Sequence, residues 1–196
     1  MKIVLATNNK NKVREVNDIL GPHGITVYSP KELGLFPGEV IEDGTNYYEN
    51  SLIKAKSVAC LTDLPVIADD SGLEVECLDN KPGLRSARYA DECGGHANAT
   101  RNIINDLADK PNRNARFVCD IVLLNVEDKP LLFEGIAEGT IDTEPRGNNG
   151  FGYDPIFISK DTNVSYGLMP EEEKNMNSHR GRALKKMLTY LIEKGL

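Results

Sequence analysis

Apolar positions recur along the chain in two rhythms, one that suits buried strands and one that suits helices facing a core. Lys2-Ile3-Val4-Leu5-Ala6 is a short continuous apolar run and reads as a buried strand. The polar stretch Thr7 to Lys12 follows. Val13, Val16 and Leu20 then predict a helix that Gly21-Pro22 ends. Gly44-Thr45-Asn46 offers cap residues for a helix from about Tyr47 to Leu61. Pro65 to Asp70 reads as a short strand ending in acids, and Leu73 to Val75 as another after Ser71-Gly72. Pro82 to Gly95 reads mostly as loop, and Thr100 to Ala108 as a helix stopped by Lys110-Pro111. Ala115 to Leu124 and Leu131 to Ile141 are long strand patterns joined by a hairpin at Asn125 to Pro130. Gly147 to Pro155 is too glycine-rich for regular structure. Ser178 to Lys194 reads as a last helix, with Ala183, Leu184, Met187, Leu188 and Leu191 on its apolar face. Helical and strand patterns mix throughout, which predicts an α/β protein with a mixed sheet flanked by helices. With no repeat, low-complexity tract or linker, residues 1–196 read as one folded unit.

Composition narrows the partners. The 40% hydrophobic and 27% charged content is ordinary for a globular enzyme. No apolar run is long enough for a bilayer, and Ile3 to Ala6 is too short for a signal-peptide core, so a cytoplasmic protein without a membrane partner is expected. Cys60, Cys77, Cys93 and Cys119 lie far apart with no close pair, which disfavours zinc and redox motifs. Three histidines give no histidine-rich metal site. The formal net charge of −7 argues against extended nucleic-acid binding. A polyanionic ligand then requires local positive charge, so the placement of lysines and arginines carries more information than their number.

Five segments carry candidate chemistry. Thr7-Asn8-Asn9-Lys10-Asn11-Lys12 joins the first strand to the first helix, where backbone N–H groups and the helix dipole favour phosphate. An asparagine-rich turn with solvated lysines explains it equally well. Glu42 lies in a loop and Asp69-Asp70 closes a strand; neighbouring strand residues point to opposite faces, so one aspartate faces a site and the other serves structure. Carboxylates from separate segments suit Mg²⁺, and one can accept a proton from attacking water. Tyr47, Asn50 and Lys54 share a helix face, which also fits a solvated surface. Lys174, His179 and Arg180 crowd the start of the last helix, where the dipole is already positive and cations cost roughly 0.3–1 kcal/mol each. An anion or an electron-rich base edge would compensate, and Arg180 can donate to a purine 6-keto oxygen; chance surface charge is the competing reading. Finally, the glycine loop presents Phe151 for base stacking, with Asp154 able to accept from a protonated ring nitrogen; a structural turn with a core phenylalanine competes with that reading.

In their order along nearly the whole chain, these segments resemble the inosine/xanthosine triphosphate pyrophosphatase family. The resemblance rests on Thr7-Asn8-Asn9 with Lys12, Glu42 with Gly44, Glu49-Asn50 with Lys54, and Ala68-Asp69-Asp70-Ser71-Gly72-Leu73. It continues through Pro82-Gly83, Ser86-Ala87-Arg88-Tyr89, Gly150-Phe151-Gly152-Tyr153-Asp154-Pro155 and Glu173-Lys174, and ends at Ser178-His179-Arg180-Gly181. It implies a long central mixed sheet, two lobes with a nucleotide cleft between them, and a homodimer. It also implies hydrolysis of ITP, dITP and XTP to the monophosphate and pyrophosphate. By position, Asp70 is the implied proton acceptor and a Mg²⁺ ligand, with Glu42 the other ligand. Thr7, Asn8, Asn9, Lys10, Asn11, Lys12, Lys54 and Ser71 are implied to hold phosphates and sugar. Phe151, Gly152, Tyr153, Asp154, Lys174, His179 and Arg180 are implied to shape the base and nucleotide pocket. Tyr47, Asn11 and Asn148-Asn149 depart from the family's usual phenylalanine, glycine and Thr-Gly, which bears on substrate preference. The alternatives are a pyrophosphatase for other modified nucleotides or a nucleotide-binding module without turnover.

Overall fold

The computed structural model describes residues 1–196. Its first half runs β1 (Lys2–Leu5), α1 (Lys10–Leu20), β2 (Thr26–Tyr28), α2 (Tyr47–Ala59), β3 (Val66–Val75), β4 (Lys81–Pro82), α3 (Ser86–Glu92) and α4 (His96–Asp106). β5 (Asn114–Leu124), β6 (Leu131–Ile141), β7 (Phe157–Ser159), α5 (Glu171–Asn177) and α6 (His179–Glu193) complete it. The strands form one sheet in the order β2-β1-β3-β5-β6-β7, with β4 beside β3. β1 runs parallel to both β2 and β3, while β4 on β3 and β7 on β6 are antiparallel. The sheet is therefore mixed, as predicted.

The chain divides into two compact units. The first holds Met1–Asp70, Cys119–Gly135 and Arg180–Leu196; the second holds Ser71–Val118 and Ile136–His179. β3, β5 and β6 each contribute residues to both. In the first unit, Ile3 and Leu5 pack with Val16 and Leu20 of α1 and with Ala183, Leu184, Met187 and Leu191 of α6. Val4, Ala6, Val66 and Ala68 pack with Ala55 and Val58 of α2. β1 thus buries alternate side chains on opposite faces, which is why its sequence is apolar without a break. Each such aliphatic side chain contributes roughly 1.5–3 kcal/mol by leaving water. In the second unit, Leu73, Ile103, Leu107, Phe117, Phe157, Tyr166 and Met169 form the core.

The structure corrects some of these expectations and adds elements that none of them covered. The two short strands at Pro65–Asp70 and Leu73–Val75 are one strand, β3, because Gly72 is buried within the ladder instead of turning the chain. The segment Pro82 to Gly95 contains α3, and α4 begins at His96, four residues before Thr100. β2 and β7 are three residues each, too short to show a period. α5 precedes Ser178, whose extended backbone closes that helix and lies directly before α6, at the cap position expected for it. Glu171, Glu172 and Glu173 in the first turn of α5, after Pro170, are the signal for that helix, since acids there complement the dipole. No helix is long and apolar enough to cross a membrane.

Candidate active site

The first loop caps its own helix. Asn9 Oδ1 accepts from the N–H groups of Asn11 (2.9 Å) and Lys12 (3.3 Å), and Thr7 Oγ1 accepts from Asn9 N–H (3.1 Å). Those three N–H groups are engaged within the loop, which corrects the picture of an open row of backbone donors. Asn8, Lys10 and Asn11 are exposed, and Thr7 is half-buried.

Lys12 turns inward. Its ammonium lies 3.0 Å from Asp69 Oδ2. The same oxygen accepts from Arg180 Nε (3.1 Å) and Nη2 (3.0 Å), while Arg180 Nη1 donates to Glu15. Asp69, Glu15 and Arg180 are 3%, 3% and 2% exposed. The compensation for a cation at the start of α6 is thus a pair of buried carboxylates. The expected donation from Arg180 to a purine 6-keto oxygen is corrected accordingly: the guanidinium fork is committed to Asp69 and Glu15. Burial alone would push the Asp69 carboxyl up, but Lys12, Arg180 and Lys54 together hold it far below the usual carboxylate range.

Asp70 points the other way, to the face covered by α2. Its Oδ1 lies 2.9 Å from Lys54 Nζ, and its Oδ2 accepts from Asn50 Nδ2 at 3.2 Å. Lys54 Nζ also lies 2.8 Å from Glu42 Oε2. Asn50 and Lys54, four residues apart on α2, reach one carboxylate as the helix-face reading requires, while Tyr47 is half-buried. Burial raises the Asp70 carboxyl above its ordinary value; Lys54 and Lys12 oppose this and Glu42 reinforces it. The neighbouring aspartates therefore differ because Asp69 faces two cations at close range and Asp70 faces one. Lys54 itself stays protonated: burial disfavours its charge, but Asp70, Asp69 and Glu42 outweigh it.

The loop carrying Glu42 is pinned by α2. Gly44 N–H donates to Asn50 Oδ1 (2.8 Å), and Thr45 N–H and Oγ1 donate to Glu49 Oε2 (2.6 and 2.9 Å), while Asn46 Oδ1 caps the helix through Glu49 N–H. A Cβ on Gly44 would lie 2.7 Å from Asn50 Oδ1 and 2.7 Å from Glu49 Cβ. Gly44→Ala is expected to cost about 1–3 kcal/mol by overpacking, and to displace Glu42 two residues away. A thermal melt together with a metal titration checks both effects; unchanged metal dependence would disconnect this packing from Glu42.

Ser71 is half-buried in β3, the first residue of the second unit. Elsewhere in that unit, Asp154 Oδ2 accepts from Phe151 N–H (2.8 Å) and from Lys174 Nζ (2.7 Å). Lys174 lies 4.9 Å from the centre of the half-buried Phe151 ring. Asp154 and Lys174 are each 3% exposed, so Asp154 shapes the loop from below, a correction to its expected role as acceptor for a ring N–H. Gly150, at φ +70°, passes so close to Asp154 Oδ2 that a Cβ would lie 2.1 Å away. Gly152 is half-buried, and Tyr153 is buried with its hydroxyl donating to Ser86 O at 2.7 Å. His179 is buried and stacks on Phe117, with ring centres 4.6 Å apart and planes 10° apart. The expected base contact from His179 gives way to this core stack.

The donor set at Glu42 and Asp70 fits Mg²⁺. Both carboxylates approach one ammonium nitrogen within 3 Å, so their oxygens converge on a point the size of a cation, and Mg²⁺ prefers one or two carboxylates completed by phosphate oxygens and water. No three acidic, histidine or cysteine side chains form a closed cage. Sequence reasoning missed Glu15 and Asp120. Glu15 is three residues past Lys12, hence on the same side of α1. Asp120 interrupts the apolar run of β5, and burial with the charges of Glu134 and Asp70 pushes its carboxyl up to about 6.

Along nearly its whole length the chain is similar to known proteins. The profile of the Ham1 family matches residues 3–190. The chain is 43% identical over 196 residues to the dITP/XTP pyrophosphatase of Vibrio cholerae serotype O1, covering 98% of this chain and 97% of that protein. It is 44% identical over 182 residues to that of Desulfotalea psychrophila, covering 93% and 81%. Among solved structures, the Staphylococcus aureus Ham1 protein superposes with a TM-score of 0.85 at 33% identity, covering 99% of this chain and 100% of that one. The Coxiella burnetii HAM1 protein does so with a TM-score of 0.85 at 38% identity, covering 98% and 99%.

Proposed function

The chain belongs to the Ham1 family, and from that premise we propose that it hydrolyses ITP, dITP and XTP to the monophosphate and pyrophosphate at the Glu42–Lys54–Asp70 centre. Hydrolysis of non-standard purine nucleoside triphosphates is the activity of this chain; the assignment of residues to it is our reading. The observation that carries the assignment is one lysine ammonium within 3 Å of two carboxylates from separate segments, Glu42 and Asp70.

In this mechanism water attacks the α-phosphorus in line, the bond from that phosphorus to the bridging oxygen breaks, and pyrophosphate leaves. Asp70 takes the proton of the attacking water, for which its raised carboxyl suits it better than an ordinary aspartate. Asn50 and Lys54 fix its orientation. Lys54 and Lys12 offset charge on the departing pyrophosphate, a placement effect that supplies much of the acceleration in phosphoryl chemistry. Glu42 and Asp70 would hold Mg²⁺, which supplies neutralisation of the phosphate oxygens when bound. Arg180 and Glu15 act as positioning residues for Asp69 and, through it, Lys12. Thr7, Asn8, Lys10 and Asn11 contribute polar groups toward phosphate, with Asn9 shaping the loop as its cap, and Ser71 contributes toward the sugar. In the second unit, Phe151 and Gly152 supply a half-buried ring and a residue without a side chain, of the kind that suits a purine, held in shape by Tyr153, Asp154 and Lys174. Mg²⁺ dependence, a cytoplasmic location and a homodimeric state belong to the same proposal.

Pyrophosphate release across a nucleotide panel tests this reading. The 6-keto non-standard purines are expected to exceed ATP by about 10²-fold or more in kcat/KM. Equal rates for ATP would sink it, and nucleotide binding without release would favour a sensing module. Glu42→Gln is expected to raise the Mg²⁺ concentration giving half-maximal rate by about 10–100-fold; an unchanged metal titration removes Glu42 from the metal.

A further inference from the structure

We infer that His96 is a positioning residue for the purine, holding the Phe151–Gly152 segment in place from the start of α4. His96 opens that helix and is exposed. It shares a helix face with Ala99 and Ile103, which enter the core of the second unit together with Tyr153. The His96 and Tyr153 rings meet in a T shape, with centres 5.2 Å apart and planes at 73°. Tyr153 is itself fixed, buried and with its hydroxyl donating to Ser86 O at 2.7 Å. The turn leading into α4 is tied down as well: Gly95 N–H donates to Ala90 O (2.7 Å) and Asn98 Nδ2 to Cys93 O (2.9 Å). The imidazole is thus held by its helix and by an anchored ring.

Two glycines of the loop show what that imidazole faces. Gly150 and Gly152 both have left-handed backbone, at φ +70° and +66°. A Cβ on Gly150 would collide with Asp154, so the space beside it is filled from within the loop. A Cβ on Gly152 would instead meet the His96 ring, with Cδ2 and Nε2 each 3.6 Å away, an ordinary van der Waals contact. The Gly152 backbone is therefore flanked by a side chain from another element. Asp154 holds Phe151 through its N–H, and His96 packs on the residue that follows, so the main chain is braced on both sequence sides of the Phe151 ring. Without the imidazole, Gly152 keeps the conformational freedom of its residue type and passes it on to Phe151. A shift of about 1 Å in a binding group is enough to be felt in the kinetics. This inference rests on the reading of Phe151 and Gly152 as the purine end of the site.

The test compares the full-length wild type with His96→Ala, His96→Phe and His96→Gln in steady-state hydrolysis of dITP, with inorganic tripolyphosphate as a competitive inhibitor that has phosphates but no base. His96→Ala is expected to raise KM for dITP by about 2–10-fold, the scale of one lost aromatic pair. Its kcat should stay within about twofold, the pattern of binding lost equally from substrate and transition state. The inhibition constant of tripolyphosphate should not move, which separates purine positioning from a general loosening of the protein. His96→Phe keeps a ring against Gly152 and Tyr153 and should restore KM. An unchanged KM in His96→Ala overturns the inference, as does an equal rise in the tripolyphosphate constant. Restoration by His96→Gln but not by His96→Phe also overturns it, since the polar atom and not the packing would then be what acts. Phe151→Ala separates the two readings. If it leaves KM for dITP unchanged, the assignment of the purine end fails; if it raises KM while His96→Ala does not, this inference alone fails.

Discussion

Asp70→Asn is expected to lower kcat by about 10²–10⁴-fold, the usual contribution of a positioned general base, while the protein stays folded. Asparagine keeps the size and can still bond with Asn50 and Lys54, but it has no carboxylate to receive a proton. The stability side follows from the direction of the pKa shift. Asp70 is raised mainly by burial, so the folded state holds its proton more tightly than the unfolded chain does. That contribution is present below the ordinary carboxylate pKa and is lost as pH rises through the raised one. Removing the charge therefore does not weaken the fold near neutral pH, and activity and stability should separate. In the wild type, the acid limb of kcat/KM should lie above the ordinary aspartate range, with rate falling as pH drops through it. Steady-state kinetics with a melt on the same preparation reads both, and unchanged turnover would remove Asp70 from proton transfer.

Arg180→Met is expected to have the largest effect on folding. It leaves Asp69 and Glu15 buried with less compensation, and breaking a buried ion pair on one side costs about 3–5 kcal/mol. For a chain of this size that is a fall in Tm of roughly 6–20 °C. Asp69 is held far below its ordinary pKa by Lys12 and Arg180 against burial. Its stabilising contribution is thus present above the ordinary carboxylate value and disappears as pH falls toward the depressed one. The gap between wild type and variant should narrow in acid. Arg180→Lys keeps the charge but not the fork that meets Asp69 through two nitrogens, and should fall between them. A variant melting within about 2 °C of the wild type would show that the cluster is not what secures the two acids.

Much of the fold and of the Glu42–Lys54–Asp70 cluster was legible in the residues, for local reasons. The apolar run of β1, the spacing of Val13, Val16 and Leu20, and the long patterns of β5 and β6 each carry their own period. The acids at the end of the strand beginning at Pro65 were visible as a break in hydrophobicity, and alternation alone said that the pair divides between two faces. What alternation could not say is which aspartate meets which cation. Lys12, Glu15 and Arg180 are brought together with Asp69 by packing over 165 residues of sequence. For the same reason Arg180, Asp154 and His179 read as ligand-facing. A charged or aromatic residue in an unusual place declares that something compensates it, but not whether that partner is a ligand or another part of the chain. α5 escaped because its seven residues lack an apolar stripe, and Asp120 because a single acid in a long strand run has no periodic signature.

Placing the two acids side by side on β3 makes the centre intolerant of any change in strand length. Deleting or inserting one residue between Val66 and Ala68 would rotate both carboxylates to the wrong side at once, presenting Asp69 to Lys54 and Asp70 to Arg180. Side-chain substitutions can be absorbed one at a time by the neighbours that remain. A shift of frame cannot, so this short stretch should accept changes of residue far more readily than changes of count.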